Sequence, residues 1–70
     1  MKIIKSHSLT GQDRKLITRL LSTCNTIEDV FTRLRSIYNK GQFINLVNGK
    51  IEVWFDYYND KKDNPDIIIA

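Results

Sequence analysis

The sequence holds almost nothing with which to build a covalent or metal-bound scaffold. Its 70 residues include one cysteine, Cys24, and one histidine, His7. No disulfide can form within the chain, a zinc site built on cysteines is excluded, and a lone histidine leaves too few soft ligands for a transition metal. The three glycines, at 11, 41 and 49, all fall where caps and turns need them, so there is no glycine-rich phosphate loop. Long apolar runs are missing too. The longest, residues 53–55 and 67–70, fall far short of the roughly 18 residues of a membrane span. Only Ile3 and Ile4 lie between Lys2 and Lys5, too little for the apolar core of a secretory leader. The expectation is a soluble protein of the cytoplasm without membrane partner or cofactor. A single alanine beside ten isoleucines, seven lysines and six asparagines has the composition of an AT-rich genome and suggests a low-GC bacterium or one of its mobile elements or viruses; a phage-encoded product would work in the host cytoplasm.

What is present is ordinary in amount and uneven in placement. Hydrophobic residues make up 41% and charged residues 27%, as in most soluble globular chains. A chain this short buries only about 60% of the surface its unfolded form exposes, which leaves little protein to support a deep catalytic cleft. It reads as a single small domain over residues 1–70. The net charge of +3 divides into +5 over residues 1–40 and −2 over residues 41–70. Positive charge therefore belongs to the first half.

That first half has helical period. Residues 2–8 alternate weakly and suit a short strand. Thr10 and Asp13 have capping-box spacing, with Thr10 accepting the amide of Asp13 and Asp13 reaching back. Leu16, Ile17, Leu20, Leu21 and Cys24 then share one face of a helix. Thr26 and Asp29 repeat the cap, and Ile27, Val30, Phe31, Leu34, Ile37 and Tyr38 form the apolar stripe of a second helix. Lys40 followed by Gly41 gives that helix a basic last turn and a left-handed stop.

After residue 42 the period changes to two. Asn48 and Gly49 between apolar runs signal a type I′ hairpin, which needs positive φ at both central positions. Pairing Val47 with Lys50 sets Leu46 against Ile51, Asn45 against Glu52, Ile44 against Val53 and Phe43 against Trp54. One face then holds Ile44, Leu46, Ile51, Val53, Phe55 and Tyr57. The other holds Phe43, Asn45, Val47, Lys50, Glu52, Trp54, Asp56 and Tyr58. Residues 58–66 read as a polar loop broken by Pro65, and residues 67–70 as a last strand, since three isoleucines in a row seek burial. The expected fold is an α+β two-layer sandwich, β-α-α-β-β-β, with two amphipathic helices on one face of a small, mainly antiparallel sheet. This order of elements resembles that of the compact bacterial toxins that cleave ribosome-bound mRNA. The chain departs from them in lacking a basic, catalytically equipped C-terminal segment, so no family is assigned on that ground.

The candidate sites follow from the surfaces this fold leaves over. His7, between Ser6 and Ser8, would serve a small ribonuclease-type toxin, but no spacing nominates a group to orient it, and no catalytic residue is assigned. Cys24 lies on an apolar stripe, as a structural thiol would. Asp60, Asp63 and Asp66 are spaced loosely like a calcium loop, yet Lys61 and Lys62 interrupt them and the glycine and terminal glutamate are missing, so no metal site is assigned. Arg14, Lys15 and Arg19, with Arg33 and Arg35, offer a basic face to nucleic acid. The outer hairpin face offers Phe43, Val47, Glu52, Trp54, Asp56 and Tyr58, aromatic residues with a polar rim, the composition of a protein interface. The reading favoured by the sequence is a small non-enzymatic module that regulates or inhibits a larger protein through that face. Nucleic-acid binding by the basic face is the second reading. A homodimer is expected as well, because a short chain without disulfide or metal gains stability most readily by association.

Overall fold

A computed structural model describes residues 1–7, 9–55 and 63–70. The elements follow in the expected order: β1 (Ile3–Ser6), α1 (Gly11–Thr23), α2 (Ile27–Ile37), β2 (Phe43–Val47), β3 (Lys50–Trp54) and β4 (Ile67–Ile69). The four strands form one antiparallel sheet in the order β1-β4-β3-β2. The isoleucine strand β4 is thus interior, between β1 and β3, and the edges of the sheet are β1 and β2.

Local chemistry explains where the elements begin. Thr10 and Thr26, both extended, accept the amides of Asp13 and Asp29 through their hydroxyls, at 3.1 and 3.2 Å. Each cap satisfies a donor the first helical turn leaves open. Asp13 also reaches back to the cap, through the Thr10 hydroxyl. One Asp13 carboxylate oxygen accepts the Thr10 hydroxyl at 2.8 Å, and the other accepts the Tyr38 hydroxyl at 2.7 Å, which ties the start of α1 to the end of α2. In the hairpin, Asn48 and Gly49 have φ of 52° and 75°, and all five residue pairs of β2 and β3 lie in the expected register.

The second helix ends earlier than its pattern suggests. It stops at Ile37, with Tyr38 as its cap, and Gly41 takes its positive φ of 89° in the connection to β2. There the Tyr38 ring packs edge-on against Phe55, 5.6 Å between centroids. Ile37, on the expected stripe, is instead 42% exposed.

The core lies between the helices and the inner sheet face. Ile17, Leu20 and Cys24 from α1 and its cap, and Val30 and Leu34 from α2, cluster with Ile44, Ile51, Val53, Ile67 and Ile69. Each fully buried isoleucine contributes about 1.5–3 kcal/mol relative to exposure. Of the segment read as a polar loop, residues 63 and 64 are exposed, whereas Pro65 and Asp66 are buried. Asp66 is only 2% exposed and caps the end of the sheet. Its carboxylate accepts the Phe55 amide at 2.8 Å, its own amide donates to the Val53 carbonyl, and its carbonyl accepts the His7 amide.

Candidate interaction surfaces

Because both helices occupy the inner face, alternate residues of the same strands make up the outer one. Phe43 and Trp54 stand opposite each other there, as the turn register demands, with ring centroids 5.2 Å apart and planes tilted by 37°. Such a pair contributes about 0.2–1 kcal/mol to the hairpin. The next row runs across all four strands, from Asn45 through Glu52 and Ile68 to Lys5, and the last sets Val47 against Lys50. Phe43 and Val47 are each 36% exposed, and Glu52 and Trp54 are half-buried. Of the residues assigned to this face from sequence, Asp56 and Tyr58 lie outside the described residues, as does Tyr57 on the opposite face. Ile68 and Lys5 were missed. Only the strand order brings them into one row with Glu52, and strand order has no local signal.

The first and last strands do not fold over this face. They extend the sheet instead, and among the described residues no other element covers its outer side.

The basic residues do not form one surface. Arg14, Lys15 and Arg19 line an open depression together with Thr18 and Ser22. All five side chains come from α1, so no second element converges to orient a ligand. Arg14 also donates to the Ser6 hydroxyl at 2.9 Å. Arg35 belongs to a different concavity, between α2 and β2, where its guanidinium carbon lies 5.5 Å from the centre of the Phe31 ring. Arg33 is exposed on α2 and lines neither depression.

His7 is exposed just past β1, in a shallow depression with Lys5, Asp63, Asn64, Pro65 and Asp66. Its backbone is held by Asp66, but among the described residues no hydrogen bond orients its imidazole. Cys24 is buried in the core, as its stripe implies. Among the described residues no three histidine, cysteine or acidic side chains are grouped to hold a metal, and no helix is long and apolar enough to cross a membrane. Among the described residues the one perturbed proton site is Tyr38, whose phenol is held above its ordinary pKa by burial first and by the neighbouring Asp13 carboxylate second.

These elements define a small two-layer α+β protein whose helices pack on one face of a four-stranded antiparallel sheet. Comparison with protein families, curated proteins and solved structures finds no match to the chain.

Proposed function

We propose that this protein is a small, non-enzymatic protein-binding module that regulates or inhibits a larger partner in the cytoplasm, using the outer face of the hairpin. The observation that carries the reading is the Phe43–Trp54 pair on the sheet face opposite the helices, with Asn45 and Glu52 as the polar row next to it and Val47 and Lys50 in the row beyond. Aromatic anchors inside a polar rim are the usual composition of a binding hot spot. The partner this chemistry fits has an apolar cleft for the two rings and amide or basic groups for Glu52. Capture from a lysate of the host that encodes the chain tests it. Trp54→Ala should abolish capture of a specific protein while the melting curve shows a folded chain. Equal loss of capture and fold would make the pair a structural feature only.

A second reading rests on the depression that gathers Arg14, Lys15 and Arg19 on α1. If nucleic acid is the ligand, oligonucleotide affinity should fall steeply with salt, and the double change Lys15→Glu, Arg19→Glu should remove both binding and salt slope without unfolding the chain. Partner capture unaffected by that double change would favour the hairpin face.

A further inference from the structure

The two edges of the sheet are built differently. A sheet edge presents unpaired N–H and C=O groups to any passing strand, and monomeric proteins blunt it with charge, proline or a bulge. Edge β1 has two such devices. Lys5 lies within it and Lys2 just before it, and the register slips between Ile3 and Lys5, pushing Ile4 out to 53% exposure. Edge β2 has none. Its five residues are Phe43, Ile44, Asn45, Leu46 and Val47, without charge or proline, and each pairs with β3 in unbroken register.

Turn geometry states which groups β2 offers. A two-residue I′ turn makes Val47 and Lys50 a hydrogen-bonded pair, and such pairs alternate along an antiparallel ladder. Phe43, Asn45 and Val47 therefore bond to β3, while Ile44 and Leu46 turn their N–H and C=O groups away from it. The same alternation makes Val53 face β4, as the bond from the Asp66 amide to the Val53 carbonyl requires. Among the described residues no strand lies beyond β2 to receive the four groups of Ile44 and Leu46.

We propose that a second copy of this chain receives them, by antiparallel pairing of β2 with β2 about a two-fold axis at Asn45, giving one continuous eight-stranded sheet. With Asn45 on the axis, Ile44 meets Leu46 of the partner in both directions as hydrogen-bonded pairs, which accounts for all four groups. On the outer face Phe43 then lies opposite Val47 of the partner, an aromatic against a β-branched side chain. The two Asn45 amides face each other as a non-hydrogen-bonded pair, where side chains approach most closely. A strand with no charge has nothing to repel its own copy and nothing to select a charged peptide. The dimer uses the edge and not the outer face, so the surface proposed for partner binding continues across the axis and is doubled.

The test uses the full chain. Sedimentation equilibrium should give twice the chain mass of 8.2 kDa, and the Ile44 and Leu46 amides should exchange with deuterium at least about tenfold more slowly in the dimer than after dilution to monomer. Asn45→Cys should form a disulfide-linked dimer under mild oxidation, since a non-hydrogen-bonded pair brings the two Cβ atoms within disulfide reach. Val47→Cys, opposite Phe43 of the partner, should not. A monomer at every concentration would overturn the proposal. So would a dimer in which Ile44 and Leu46 exchange fast and Asn45→Cys fails to cross-link, since its interface would lie elsewhere.

Discussion

On the inner face of the sheet, Ile51, Val53, Ile67 and Ile69 are wholly buried beneath the two helices, whereas one residue along, on the outer face, Glu52, Trp54 and Ile68 are only half-buried. The same strands supply both sets, because side chains alternate across a pleated sheet. A slip of one residue would exchange the sets and drive Glu52 into the core. The inner face thus enforces the register with which the outer face displays its aromatic pair. The inner face is bound by stability; the outer face carries less of that burden.

Substitutions that separate the faces test this division. The largest effect belongs to Ile51→Ala, which should lower the unfolding free energy by about 2–5 kcal/mol through lost burial and a residual cavity. Urea denaturation followed by Trp54 fluorescence reads it, and any loss of partner capture should track the unfolded fraction. Next is Asp66→Ala at the end of the sheet. Removing the carboxylate that accepts the Phe55 amide should destabilise by about 1–3 kcal/mol, and Asp66→Asn, which keeps a carbonyl acceptor, should recover most of it in the same denaturation series.

On the outer face, Phe43→Ala should destabilise by about 1 kcal/mol, chiefly the lost aromatic pair. A loss as large as that of Ile51→Ala would erase the distinction between the faces.

The smallest effect appears only in alkali. Folding raises the Tyr38 pKa above its ordinary value, so the stability linked to the neutral phenol is complete below the unfolded value of about 10 and is lost as pH rises through the folded value. The melting temperature should therefore fall more steeply above about pH 10 in the native chain than in Tyr38→Phe, which has no phenol to ionise. Identical alkaline profiles would show that Tyr38 does not couple folding to pH.

Much of this architecture was legible in the residues themselves, and what was legible is local. Thr10 and Thr26 announce helix starts because a cap is closed within three residues. Asn48 and Gly49 dictate the pairing of Phe43 with Trp54 because a two-residue turn permits one register, and alternation then assigns every hairpin side chain to a face. The rest depended on encounters between distant segments. The three isoleucines of β4 demanded burial but could not say beside which strands, so its interior position, the row that joins Lys5 and Ile68 to Glu52, and the status of β2 as an open edge were decided only when the sheet closed. The same holds for Asp66, a polar loop residue by its neighbours, buried because the Phe55 amide at the end of β3 needed an acceptor. It holds for Tyr38 as well, which leaves the helical stripe to reach Phe55 and Asp13. A turn or cap is complete within a few residues and leaves its pattern in the sequence; strand order and buried polar contacts depend on which distant surfaces fit together, and only tertiary packing compares them.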